Sequence, residues 1–457
     1  MSETTSNGGQ QGQLKRTLGL WSIVGLGLGY MTPTVVFDTF GIVSEKTGGV
    51  VPTAYLIALG VMLLTALSYG KMTVVFPSAG SAYTYTSATL GPRIGFLIAW
   101  SALLDYILLP LVNAVIIRSY MASFFPSVPT WIWVFLYAAA ITWLCRSSTA
   151  NTSRLNMILV LFVVVLIIVD IVLSAQSLMN GMGTGTIFTL QPLWHEGVQM
   201  SNVLAGATIV AFSFIGFDAI TMYTEEAKDV TSVPKAIMLS LFIGGAIFFT
   251  SALFTQSVFP DLSQFNSEAI HNSALPQIAF LIGGNILMSL LAAGAFAATV
   301  ASSLASQSSV SRLLYVMGRN GNGPISRFFG SLHPTHGTPA NAVVFVGAVA
   351  LLAIPLNLEF VASLINFGAL IAFTSVNLSV ILLFAVRRRE FNTAGQVIRN
   401  ILLPLAGIVM TIVMWLHLSP ESTIYGTIWF AIGLGALLWL TRFFKRPLTM
   451  SMGDGHG

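Results

Sequence analysis

Residues 20–43 read LWSIVGLGLGYMTPTVVFDTFGIV, an apolar run with one charge, Asp38, and a proline in its middle. A stretch this long covers the roughly 20 residues that a helix needs to cross the hydrocarbon core of a bilayer. Pro33 has no amide hydrogen and crowds the preceding turn, so the helix is expected to break at Tyr30-Met31-Thr32-Pro33-Thr34-Val35. Residues 212–218, FSFIGFD, repeat the pattern: small or flexible residues where a regular helix would be continuous, with Asp218 just after Gly216. Gly25, Gly27 and Gly29 alternate ahead of the first break, where close helix packing explains them better than a nucleotide fingerprint.

The rest of the chain has the same character. It has 457 residues, 55% hydrophobic and 8% charged, with a mean hydropathy of +0.83. Globular chains carry about a quarter charged residues, and the 20 basic plus 16 acidic side chains here cannot cover a soluble protein of this size. A cytosolic enzyme, a nucleic-acid binder and a secreted scaffold are excluded on that ground. The single cysteine, Cys145, forms no internal disulfide; His333 and His336 lie in a loop with no carboxylate nearby, so neither a metal site nor a cofactor is expected. The reading is an integral membrane protein and not an enzyme.

Twelve apolar segments are long enough, or clearly enough punctuated, to span: 17–43, 51–74, 92–124, 130–145, 152–176, 201–224, 233–257, 274–303, 341–356, 360–385, 399–418 and 422–443. No soluble domain interrupts them. Residues 1–14 read as a flexible cytoplasmic tail without a signal-peptide cleavage site, 15–446 as one transmembrane domain, and 447–457 as a cytoplasmic carboxy-terminal tail. With the amino terminus inside, 18 of the 20 Lys and Arg fall on the cytoplasmic side, leaving Lys46 and Arg118 outside. Both termini are therefore expected in the cytoplasm. Breaks in the first and sixth spans, five apart, suggest two inverted five-helix halves followed by two extra helices. An ordinary proline kink plus a packing glycine is the plainer alternative.

Acids inside spans cost about 2.5–3.5 kcal/mol each on insertion scales, so each needs a reason. Asp38, Asp105, Asp170 and Asp218 qualify, with Glu225 and Glu226 at the inner end of the sixth span; Arg118 is the one basic residue assigned to a hydrophobic interior. Such carboxylates are protonated, face water or meet a cation, and a cation brought to them is the most economical account. Asp105 lies eleven or so residues into the third span, about 17 Å deep at 1.5 Å per residue. Tyr106, Pro110 and Asn113 follow on one face, with Asp105 at its edge; a binding face and a Tyr–Asn packing seam both fit that stripe. Thr34, Phe212 and Gly216 join the candidate binding set by their places at the breaks, and the aromatics Tyr30, Phe212, Phe214 and Tyr106 suit a cationic amine. Glu225 and Glu226 read either as a solvated cap paired with arginines such as Arg93 or as an inner gate, and Asp170 as structural.

The stretches FDTFGIVS (37–44), FPSAGSAYTY (76–85), LLDY (103–106), FSFIGFDA (212–219), EEAKD (225–229), SVSRLLYVMGR (309–319) and LINFGALIAFTSVNLSV (364–380) resemble bacterial putrescine importers of the amino acid–polyamine–organocation superfamily. The resemblance implies an all-α, LeuT-like carrier of twelve helices, uptake of putrescine or a related polyamine across the inner membrane, and proton coupling. An amino-acid or other amine permease or exchanger is the alternative on the same fold. Amino-acid carriers of the superfamily cradle a carboxylate on a Gly-Ser-Gly-like break; Pro33-Thr34-Val35-Val36 lacks a donor there and adds β-branched bulk. A diamine needs acceptors at both ends and an apolar sleeve, with Asp105 and Asp38 as the acids and Leu109 and Phe212 as sleeve. Glu225 and Asp105 are the candidates for the coupling proton. The expected partners are the amine, protons and the lipid bilayer; the oligomeric state is left open.

Overall fold

The computed structural model describes residues 16–125, 127–147, 149–266, 270, 273–319, 324–356 and 358–442. The tails at 1–14 and 447–457 lie outside these, as do Lys15, Lys445 and Arg446. Every regular element among the described residues is helical. Ten helices are long and apolar enough to cross a membrane. The expected fourth and ninth spans are helices too, Thr130–Ser147 and Ala340–Ala353, but fall short of that measure, the latter on length.

The first span is three pieces. α1 (Leu20–Tyr30) ends at the proline break, α2 (Val35–Asp38) is a single turn, and α3 (Phe40–Thr47) stops at Gly48, whose φ of 73° closes the helix in the left-handed conformation. The alternating glycines of α1 face side chains of neighbouring helices: Gly25 meets Met157, Gly27 meets Ile220 and Ser240, and Gly29 meets Asn156. α4 (Val51–Val75) returns across the bundle. The region 76–91, expected as a connection, contains the buried helix α5 (Ser81–Leu90) before α6 (Pro92–Phe124) begins. α7 (Thr130–Ser147) and α8 (Thr149–Met179) follow. α8 turns Ile158, Leu161, Phe162, Val165 and Ile168 outward, the stripe expected of a lipid-facing helix.

The sixth span is also divided. α9 (Met200–Phe214) ends where Ile215 and Gly216 leave helical geometry, and the chain resumes as a 3-10 turn, Ala219–Glu226. α10 (Ser232–Val258) packs along both α1 and α4. α11 (Leu275–Arg319) is 45 residues long with a kink at Gly284, so it runs well past the expected end at 303. Its second half, SSLASQSSVSR, looks polar but stays helical because the hydroxyls bond back along the helix: Ser306 to the Ser302 carbonyl (2.7 Å) and Ser311 to that of Gln307 (2.6 Å). The remaining helices are α12 (Pro324–Phe329), α13 (Ala340–Ala350), α14 (Leu358–Val380), α15 (Ala394–Leu416) and α16 (Pro420–Leu440). Trp100 of α6 and Trp429 of α16 stack at 4.8 Å and exchange indole N–H bonds to each other's carbonyls at 3.0 and 2.8 Å, tying the last helix to the site-bearing one.

Candidate functional site

The two breaks meet side by side. Gly216 has a φ of 129°, which L side chains rarely adopt, and a Cβ there would run into the ring of Tyr30 at the end of α1. Asp218, two residues on, is fully buried. Its Oδ1 accepts from the Gly216 amide (3.3 Å) and its Oδ2 from the Tyr106 hydroxyl (2.5 Å), so the α9 break and α6 are joined through one carboxylate. Asp105, one residue before Tyr106, is 1% exposed, and its Oδ1 has no hydrogen-bond partner among the described residues. Gly368 of α14 lies against the Ser101 carbonyl and the Asp105 amide, so α14 approaches the α6 backbone at the level of the acid.

Around these two acids stand three tyrosines. Tyr30 and Tyr69 lie within electrostatic reach of both carboxylates. Tyr69 is held in place by edge-on contacts with Tyr85, Phe217 and Phe373 at 5.8–6.1 Å. Thr34, at the other side of the proline break, is 1% exposed with an unpartnered hydroxyl. Asn113 donates to Ser302 (2.9 Å), which donates to the Tyr30 carbonyl (3.2 Å), bracing the α1 break between α6 and α11. Phe212 is half-buried on α9, whereas Phe214 packs on Tyr55 and Phe248 as core.

Asp38 stands apart from this group. It is half-buried and accepts from Tyr120 (3.0 Å) and Ser273 (2.7 Å). Tyr120 is fifteen residues beyond Asp105 on the same helix, about 22 Å along its axis. Asp38 is therefore anchored toward the other end of α6 from Asp105.

At the opposite end the gate candidates are both paired with arginines. Glu225 accepts from Arg319 through both its oxygens (2.9 and 2.6 Å) and from the Ala79 amide (3.1 Å). Glu226 pairs with Arg312, and both are nearly sealed from solvent at 2% and 3% exposure. Arg312 also lies 4.7 Å over the Tyr223 ring. The sequence reading had placed Arg312 in a cytoplasmic connection and Arg118 as the lone interior base; α11 is longer than expected and carries Arg312 inside. Thr17 and Leu18 donate to the Glu226 carbonyl at 3.0 Å each, so the chain ahead of α1 is latched to the end of the sixth span. Arg118 caps the end of the ninth segment through the Ala353, Ile354 and Leu356 carbonyls.

Two buried acids thus lie beside two helix breaks, with Tyr106 bonded to one of them. The sequence from 18 to 438 matches the family model described as amino acid permease. The chain belongs to the amino acid permease family. This permease is 40% identical to the low-affinity putrescine importer PlaP of Escherichia coli K12, over 98% of each chain. It is 28% identical to the branched-chain amino acid permease BcaP of Bacillus subtilis over 92% of each. It is also 28% identical to the chloroplastic cationic amino acid transporter 7 of Arabidopsis thaliana, over 81% of this permease and 65% of that protein. The family and these relatives are transporters, so the permease is a multi-pass membrane protein and not an enzyme.

Sequence reasoning missed Tyr69, Ser302 and Arg312. Tyr69 sat in a smooth apolar span, yet Tyr55, Met62 and Tyr69 recur every seven residues and mark its buried face.

Proposed function

We propose that this permease imports putrescine or a related polyamine across the bacterial inner membrane, driven by proton symport. One observation carries the reading: Asp105 and Asp218 lie within electrostatic reach of each other, are both buried, and form no salt bridge among the described residues. Burying ionised carboxylates costs several kcal/mol per ion after relaxation. An ammonium group between them, with Tyr106, Tyr30 and Tyr69 around it, offsets that cost. An α-amino acid fits worse, because its carboxylate would enter the same acidic layer and the Pro33 break offers it one amide fewer. The 40% identity to a putrescine importer over the whole length points the same way.

In this reading Asp105, Asp218 and Tyr106 bind one ammonium. Thr34, Asn113, Gly216 and the acceptors released at the two breaks shape the pocket, with Leu109 and Phe212 along the carbon chain. Asp38, tied to Tyr120 and Ser273, is an outer latch rather than the second ammonium ligand. Glu225 and Glu226, tied to Arg319 and Arg312, are the inner latch. The frame is twelve helices, an inverted five-helix repeat plus two, in a single transmembrane domain over 15–446 with both termini in the cytoplasm. The coupling proton rides on Asp105 or Glu225.

Uptake of labelled putrescine into proteoliposomes, against a panel of amino acids and with and without an inward proton gradient, tests this. Putrescine uptake that rises with the gradient and is competed by other diamines is expected. Saturable leucine or glutamate uptake indifferent to excess putrescine would leave the family and overturn the substrate. Uptake that ignores a protonophore but requires internal substrate would mean exchange. Among Asp105→Asn and Glu225→Gln, the variant whose residual uptake no longer responds to the gradient identifies the proton carrier.

A further inference from the structure

A groove of about 440 Å³ opens between α4, α10 and the end of the tenth span, away from the acid pair. Such a volume lies in the range of sites that enclose small ligands, roughly 300–1,000 Å³. Its walls are Val74, Met238 and Phe384, and Gly70 forms its floor by bringing α4 against Pro234. Leu67 and Val74 on its lip are 39% and 52% exposed, so the opening lies on the side that faces lipid.

At one end the groove stops being apolar. The Lys71 ammonium lies 4.5 Å over the Phe384 ring, and the Arg388 guanidinium lies over the same ring at 5.2 Å. Lys71 donates to the Arg399 carbonyl (3.1 Å) and to the Asn400 side chain, which brings the chain around Arg399 to the rim. Lys235 follows Pro234 on the opposite wall and is exposed, as are Arg388 and Arg399. Glu390 lies 3.9 Å from Arg388, and Asp229 lies within electrostatic reach of Lys235, so Lys71 and Arg388 are the cations at the Phe384 end of the groove.

We propose that this groove binds one anionic phospholipid, with its phosphate held by Lys71 and Arg388 and an acyl chain along Val74 and Met238. Both halves of the ligand are called for. A free anion would gain nothing from the apolar wall, and a zwitterionic lipid would bring its own cation to the end where Lys71 and Arg388 already meet over Phe384. Basic side chains near a headgroup layer attract anionic lipid, and the apolar wall adds the hydrophobic part that keeps the lipid in place rather than merely nearby.

The test is native mass spectrometry of the purified full-length carrier with dioleoyl phosphatidylglycerol or dioleoyl phosphatidylcholine, alongside thermal unfolding with each lipid and with soluble glycerol phosphate. Phosphatidylglycerol should be retained and should raise the unfolding midpoint; the other two should not. Lys71 also holds Asn400, so the informative variants are Arg388→Gln, which removes a rim charge, and Val74→Trp, which fills the groove and leaves every charge in place. Both should retain several-fold less phosphatidylglycerol while binding putrescine as the parent does. Undiminished phosphatidylglycerol in both variants, equal retention of phosphatidylcholine, or equal stabilisation by glycerol phosphate would each overturn the proposal.

Discussion

Asp218 shows how much one carboxylate organises here. It takes a hydroxyl from α6 and an amide from its own broken span, so Tyr106, proposed above to contact the amine, also holds an acid still. Tyr106→Phe should therefore weaken putrescine binding several-fold and less than loss of the neighbouring Asp105 charge, since it removes one charge-assisted bond while keeping the ring. Asp170 is as buried as Asp105, with an oxygen lacking a partner among the described residues, but it lies on α8 away from the breaks. Asp170→Asn should leave putrescine affinity unchanged; a loss comparable to that of Tyr106→Phe would move the site toward α8. Gly216→Ala forces a side chain into positive φ and into Tyr30, and should abolish uptake and lower the unfolding temperature. Gly60→Ala, on an open helical surface, should be neutral or stabilising by about 0.5–1 kcal/mol, and equal behaviour of the two would contradict the packing of the breaks. The acids were legible in the sequence because charge is expensive in a membrane span. The tyrosine ring was only half legible, because aromatic side chains are ordinary in apolar helices until neighbours place their hydroxyls.

Elements carry the latches. Glu226 and Arg312 join the 3-10 end of the sixth span to the longest helix about two turns before its end, in a setting nearly free of solvent. Glu226→Gln leaves a buried guanidinium uncompensated, and breaking such a pair costs about 3–5 kcal/mol; a drop of several degrees in unfolding temperature should follow. The Glu225–Arg319 pair is more exposed, at 16% and 31%, so Glu225→Gln should cost roughly 1 kcal/mol or less. Equal losses by thermal unfolding would contradict this ranking. Broken spans were readable from Pro33 and Gly216, since both residues change backbone chemistry locally. The length of α11 was not, because a serine-rich stretch reads as polar until its hydroxyls are seen to bond along their own helix. The same misreading hid Arg312. Helix α5 was missed for a related reason: Ser, Thr and Gly around 78–89 resemble a connection, and burial against the sixth span makes them a helix, as in the Thr221–Ser81 hydroxyl contact at 2.8 Å.

At the scale of the whole molecule, the distribution of charge sets the orientation to be expected in the membrane. The asymmetry of Lys and Arg predicts that Thr231 faces the cytoplasm and Ser263 the outside; both are exposed. Cys145 is buried beside α11, so single cysteines at 231 and 263 can be labelled against little background. A membrane-impermeant maleimide added to intact cells should react at 263 and not at 231, and the reverse pattern would invert the assigned topology. The central claim is that two buried acids without a countercharge bind the ammonium of a polyamine. Putrescine binding to purified, folded carrier, compared between the parent and Asp105→Asn, tests it most directly. The account predicts saturable binding by the parent and a loss of about 1.5–3 kcal/mol in the variant, roughly ten- to a hundredfold in affinity; unchanged affinity in Asp105→Asn would show that the α6 stripe is packing and that the amine binds elsewhere.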